Sequence, residues 1–331
     1  MHYSVYAGLA FATLFGVIGP VVARRLSPAI AAWLLSAGGM VAALSGVAAL
    51  SALGMTLVGD NPSFASAGHW SISSFRRSDP VGWPIAVVAI ALLAIGLCRF
   101  TWISVRRVQS ISAAHRLSHR MPDTGSDLVV LPDATTDAYA VPGRPGRIFV
   151  TQGMLALLSH EECTVMLAHE RSHLRHHHHR HRTATIIAAA LNPLLATLPE
   201  AQGWVTERWA DEDAAREGDR EVVASALRRA ATAAGTAQRP TIALPLTADA
   251  VESRVAAMRA APPRRHPLIL AAMVLILSLS VLGTLDGVTD EAALFHVAAL
   301  GHASPLRHDS PVLSHSANGP SGTSTFPSRR S

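Results

Sequence analysis

The chain has 331 residues, 49% of them hydrophobic and only 15% charged, with a formal net charge of +5. Such a composition excludes a polar disordered chain and an ordinary soluble domain, and it calls for membrane spans. All 28 basic residues are arginine, a bias expected of a GC-rich bacterial genome, and they cluster beside apolar runs; that suits anionic lipid headgroups, and with no aromatic-and-basic pattern for reading bases, no direct nucleic-acid binding is expected.

The first predicted element is the apolar run Val5–Ala23, closed by Arg24 and Arg25. Because the charges follow the run, it reads as a transmembrane helix and not as a signal peptide. Ala29–Leu53 is a second span, rich in small residues that let membrane helices approach closely. Residues 54–80 are expected to form a polar loop, and Val81–Ile103 a third span. Beyond residue 104 strands are predicted over Asp127–Leu131, Tyr139–Val141 and Arg147–Thr151, with turns at Pro142-Gly143 and Pro145-Gly146. Ser159 followed by Glu162 forms a capping box that starts a helix. Further helices are predicted over 204–217, closed by Gly218, and 220–234, closed by Gly235. A short amphipathic helix, Val251–Arg259, is assigned to packing, and Pro262-Pro263 breaks the chain before a fourth span, Leu268–Leu285.

The chain therefore divides into three spans within 1–103 (about 5–23, 29–53 and 81–103), a domain at 104–266, a span at 267–286 and a tail at 287–331 that is expected to be disordered from about residue 303. Arg24, Arg25, Arg106, Arg107, Arg116, Arg120, Arg264 and Arg265 fall on one side of these spans, opposed only by Arg76 and Arg77. The positive-inside rule then places the N-terminus and the tail outside and residues 104–266 in the cytoplasm of a multi-pass membrane protein.

Within 159–182 stands one His-Glu-x-x-His: His169, Glu170 and His173. On a helix the two histidines lie on one face and can reach one metal ion, while Glu170 is held beside it, where a general base for an attacking water is needed. A third ligand is required, and Glu207 can complete a His2Glu site. Asp211, one turn on, can accept a hydrogen bond from a ligand histidine and fix its ring. The alternative for Glu207 and Asp211 is a solvated acidic helix, since Glu212, Asp213 and Glu217 follow; His176–His179 with His181 invites a metal-store reading, against which stands a basic, partly protonated helix end at the membrane surface. The segment 184–200 is apolar enough to span, yet one crossing there would put Glu207 across the bilayer from His169 and His173. It is expected to be a core helix, an interfacial helix or a re-entrant hairpin bent near Asn192-Pro193.

Ala-Tyr-Ala-Val-Pro-Gly (138–143), Arg-Ile-Phe-Val-Thr-Gln-Gly (147–153), His-Glu-Arg-Ser-His (169–173), Glu-Arg-Trp-Ala-Asp (207–211) and Gly-Asp-Arg (218–220) together resemble the membrane zinc metallopeptidases of the BlaR/MecR antirepressor type, relatives of the HtpX-like proteases. The resemblance covers roughly residues 120–260. It implies one Zn2+ per chain on His169, His173 and Glu207, with Glu170 as catalytic base and Asp211 supporting a ligand, and it supplies no match for an oxyanion-stabilising residue. The family's substrate-binding edge strand corresponds to Arg147, Ile148, Phe149, Val150 and Thr151. HtpX-like proteases lead one to expect a pair of spans where 184–200 stands.

The fold class expected is thus an α-helical integral membrane protein of about four transmembrane helices with a cytoplasmic α+β, zincin-type (gluzincin-like) metalloprotease domain. The function expected is zinc-dependent endoproteolysis of a cytosolic protein, such as a winged-helix repressor of the BlaI/MecI type. The rivals are an HtpX-like quality-control protease and a non-enzymatic zinc-containing scaffold. In antibiotic-sensing relatives a penicillin-binding domain follows the last span. Residues 286–331 are too few for one, and the 331 residues contain no lysine for its Ser-x-x-Lys motif.

Overall fold

The structure, a computed structural model, describes residues 3–79, 81–120, 126–234, 248–260 and 266–303. Gly235, the Pro262-Pro263 break with Arg264 and Arg265, and the tail from residue 304 lie outside the described residues. The first helices are α1 (Tyr3–Ala23), α2 (Pro28–Gly59), α3 (Pro62–Gly68), α4 (Ile72–Ser78) and α5 (Trp83–Arg120). Residues 54–59, 62–68 and 72–78 are therefore helical where the composition of the stretch predicts a loop. Helix α2 meets no breaker before Asp60, and Asn61 and Ser71 then cap two short helices through hydrogen bonds to the amides of Ser63 and Ser74. Among the described residues four helices are long and apolar enough to cross a membrane: α1, α2, α5 and the C-terminal helix Pro267–Ala303. That last helix extends well past residue 286 because no proline interrupts it and its outer part packs Leu294 and Ala298 on Phe75 of α4.

Three strands follow α5: β1 (Leu128–Leu131), β2 (Ala138–Val141) and β3 (Arg147–Thr151). They form one sheet in the order β1-β3-β2, with β3 parallel to β1 and antiparallel to β2. This corrects the expectation for Arg147, Ile148, Phe149, Val150 and Thr151. All five are buried in the central strand, whose backbone groups are taken on both sides, so that strand has no edge to offer. Its solid apolar run, Ile148-Phe149-Val150, suits a doubly covered position.

Thr151 caps α6 (Gln152–Leu157), and Ser159 caps α7 (His160–Arg175). The capping box is present: the Glu162 amide donates to Ser159 Oγ at 3.2 Å and the Ser159 amide donates to Glu162 Oε2 at 2.9 Å. The chain then runs through α8 (His178–Leu191), a 3-10 turn at Pro193–Leu195 and α9 (Leu198–Glu217), followed by α10 (Arg220–Ala234), α11 (Ala248–Arg259) and α12 (Pro267–Ala303). Glu162 Oε1 also accepts from Ser225 Oγ at 2.7 Å and pairs with Arg229, which ties α7 to α10.

The segment 184–200 is a helical hairpin inserted among the long helices. Helix α8 packs on α2 and α5, and α9 on α2 and α1. At the tip Asn192 accepts from the Leu194 amide, Thr197 donates to the Gly16 carbonyl at 2.9 Å, and Leu195 and Leu198 are buried with Phe15, Leu35 and Met273. Backbone meets backbone here: a Cβ at Gly16 would stand 2.6 Å from the Leu194 oxygen, and one at Gly96 2.9 Å from the Leu191 oxygen. Of the three possibilities open to the sequence, the hairpin is the one adopted, since its two arms leave from and return to the same end of the bundle.

Two outcomes are expected. Burial opposes ionisation of Glu162, but hydrogen bonds from Ser159 and Ser225 and the charge of Arg229 outweigh it and hold its pKa below 4.5. A depressed folded pKa stabilises the protein above the unfolded value and ceases to do so as pH falls through the folded one. Glu162→Gln should therefore cost about 1–3 kcal/mol at neutral pH and progressively less in acid, read as the difference in thermal midpoint from wild type. Gly16→Val should displace the hairpin tip and with it α9, lowering the thermal midpoint of the purified protein, whereas Gly82→Ala, whose added Cβ meets nothing closer than 3.5 Å, should leave it unchanged.

Candidate metal centre

Helix α7 presents His169 and His173 one turn apart, and α9 brings Glu207 against both. His169 Nε2 lies 3.1 Å from His173 Nε2 and 3.5 Å from Glu207 Oε2, and His173 Nε2 lies 3.7 Å from Glu207 Oε1. Three ligand atoms gathered within 4.8 Å match the spacing that a tetrahedral ion with bonds of about 2.0–2.2 Å imposes. The residues therefore fit a zinc ion, with the cavity on their open side. Sequence spacing points to the same three, and the structure brings them together.

Asp211 is fully buried one turn beyond Glu207, and its Oδ1 stands 3.1 Å from His169 Nδ1. That contact presents Nε2 of His169 to the ion and fixes its ring. Asp211 is itself gripped by Arg254 of α11, with Nε donating to Oδ2 at 2.9 Å and the guanidinium reaching Oδ1 at 2.6 Å, while a third nitrogen of Arg254 lies 3.2 Å from Glu207. The sequence pattern of this helix suggests packing alone. The available signal is an arginine set between Val251, Val255 and Met258, which bury in one cluster, so that Arg254 shares their inward side.

Burial disfavours the carboxylate forms of Glu207 and Asp211, but the Arg254 charge outweighs it and holds both well below the usual range. Burial likewise opposes charge on His169, yet its hydrogen bonds to Asp211 and Glu207 raise its pKa to about 10. Burial lowers His173 to about 4, so it stays neutral and ready to ligate. Glu170 lines the same cavity. Burial lifts its pKa to about 7, with the Glu207 charge adding to the rise and the nearby Ala140 amide and His169 opposing it. A carboxylate with a pKa near neutrality is suited to take and return a proton.

Within the histidine run His177 is exposed, but His178 and His181 are buried and are no part of a solvated helix end. His177 adopts the left-handed conformation (φ 51°) that redirects the chain from α7 into α8. His176 pairs with buried Asp213 at 2.8 Å and stacks on Trp209 with centroids 4.4 Å apart. His178 is buried, and its Nδ1 lies 2.9 Å from Nδ1 of His173; burial, with His173 and His176 next, lowers its pKa to about 2. His181 reaches Ser36 of α2 at 2.8 Å. Asp213 also accepts from Ser172 of α7 at 2.8 Å, so it braces the metal-binding helix and is no part of a solvated face.

These side chains open on a cavity of about 1520 Å³, bounded by β2, α7, α9, α10 and α11 and by the ends of α1 and α5. Among the described residues strand β2 has β3 as its one sheet neighbour, and Ala138–Val141 line the cavity wall.

Residues 104–240 match peptidase family M48, which supports a metallopeptidase for this segment. Comparison with curated proteins found no match, and comparison with solved structures found none.

Arg254 sits between two buried carboxylates, so Arg254→Leu should leave them uncompensated, a loss on the order of 3–5 kcal/mol. A bound cation replaces the missing charge. Zinc should accordingly raise the thermal midpoint of this variant, measured against a chelator control, by more than it raises that of wild type.

Proposed function

We propose that the chain is a membrane-embedded zinc endopeptidase whose catalytic domain, 104–266, faces the cytoplasm and cleaves a cytosolic protein. The observation that carries this reading is Glu170 lining an open cavity beside the converged His169, His173 and Glu207. When bound, zinc supplies an electrophile that polarises the scissile carbonyl and acidifies water. Glu170 takes the proton of the attacking water and hands it to the leaving amine, a cycle for which a pKa near 7 is suited. Asp211 and Arg254 hold the ligand set while this happens.

The substrate backbone adds to β2, an edge strand among the described residues whose Ala138–Val141 line the cavity, in place of the buried β3. Four residues of strand bind main chain with little demand on sequence, which suits cleavage of an extended segment. Arginines at the inner ends of the spans support the cytoplasmic placement. A soluble repressor of the BlaI/MecI type is the favoured substrate, since a hairpin at 184–200 replaces the pair of spans that the HtpX-like resemblance leads one to expect. A purely structural zinc site gives no reason for Glu170 to stand in an open cavity.

Glu170→Gln keeps shape and all three ligands, so it should retain zinc and lose proteolysis, while Glu207→Ala should lose both. Zinc content of the purified variants and cytosolic fragments in cells carrying them check this. Equal zinc loss in the two variants refutes the division of roles, and fragments indistinguishable between wild type and Glu170→Gln favour the scaffold.

A further inference from the structure

The cavity has two chemically opposite ends. One turn before His169, Val165 and Met166 of α7 face Val223 and Leu227 of α10. Another part of the wall is basic, with Arg182 of α8, Arg107 of α5 and Arg24, which follows α1. Arg24 is held over the Trp204 ring, its guanidinium carbon 5.6 Å from the centroid, and Trp204 belongs to the same wall. Arg107 and Arg182 stand close enough to repel one another, and the Arg182 charge is also felt at His173. This basic end is thus within electrostatic range of a metal ligand.

The fourth arginine of the wall, Arg254, is neutralised by Asp211 and Glu207. Arg24, Arg107 and Arg182 are different: among the described residues no carboxylate forms an ion pair with any of them, although Asp137, Glu200 and Asp249 line the cavity too. Arg107 and Arg182 are like charges close together, which is unfavourable without a counter-ion, and guanidinium groups bind oxyanions in preference to other partners.

We infer that Arg24, Arg107 and Arg182 form a subsite for an acidic side chain of the polypeptide substrate, a few residues from the cleaved bond. This rests on the endopeptidase reading above. Arg107 and Ile111 of α5 share the wall with β2. A chain paired to β2 advances about 3.3 Å per residue, so a neighbouring position delivers its side chain to the arginines. A phospholipid headgroup is the less favoured occupant, because it must leave the bilayer surface to enter a cavity that also holds Glu170.

The test is binding of fluorescent peptides to full-length Glu170→Gln protein in neutral detergent, with Glu, Gln or Lys scanned through each position. At one position Glu should bind about tenfold more tightly than Gln, the value of a charge-assisted contact. Adding Arg107→Gln and Arg182→Gln should reduce that ratio to near one, Arg182→Lys should preserve most of it, and Arg182→Glu should favour Lys. Zinc content and thermal midpoint report that each variant is folded, and the Lys variant carries the test if a Gln variant is not. Equal binding of all peptides, no binding of any, or a Glu preference that survives loss of both arginines overturns the subsite. So does the lipid outcome, in which phosphatidylglycerol changes wild-type binding, the arginine variants lose that response, and no peptide charge preference appears. If zinc-loaded wild type cleaves nothing while Glu170→Gln still selects Glu peptides, the subsite stands and the endopeptidase reading falls.

Discussion

Two histidines of α7 and a carboxylate of α9 must meet within reach of one ion, and the path of the chain between them follows from that requirement. Residues 174–206, which join His173 to Glu207, have to return to where they started, because a single outward crossing would separate the ligands by the thickness of a bilayer. The intervening residues solve the problem as a hairpin, in which α8 and α9 satisfy their own backbone groups and Asn192 caps the turn between them. Just before the ligand, buried Thr206 turns its hydroxyl back to the Gln202 carbonyl within α9. At the tip the Thr197 hydroxyl meets the Gly16 carbonyl of α1. Such pairing is the condition for irregular backbone among membrane helices.

The second dependence is electrostatic. Glu207 and Asp211 stand four residues apart on α9, and Asp211 is fully buried. Two carboxylates so placed repel one another, and Arg254 relieves them from a separate helix. Asp213 plays a matching part on another side of α9, where it holds Ser172 and His176 and so clamps α7 against its partner helix. The ligand histidines thus sit in a framework of paired polar groups, and their rings are oriented without the ion having to do it.

The third is shape. The cavity wall takes Pro20 and Val21 from α1 and Ile111 from α5, so the candidate metal ligands and the long apolar helices share one surface. His181, bonded to Ser36 of α2 and edge-on to Trp33, joins the hairpin to the same bundle. Movement among those helices therefore has a short mechanical route, through α8, to His178 and the His173 ring it touches.

The sequence by itself determined the features that rest on local periodicity. The four apolar helices follow from run length, the helix start at Ser159 from its capping pair, and the grouping of His169, Glu170 and His173 from the pitch of one helix. Glu207 and Asp211 were legible for the same reason, as a pair one turn apart. Strand β3 was legible as a strand, but its rank in the sheet was not, because rank depends on which distant strands pair with it. Only the tertiary structure decided that Arg254 lies against Asp211, forty-three positions earlier, and that His178, His181 and Asp213 are buried supports instead of a solvated face. Burial of a polar side chain is set by what folds over it from elsewhere in the chain, and no spacing within its own helix carries that information.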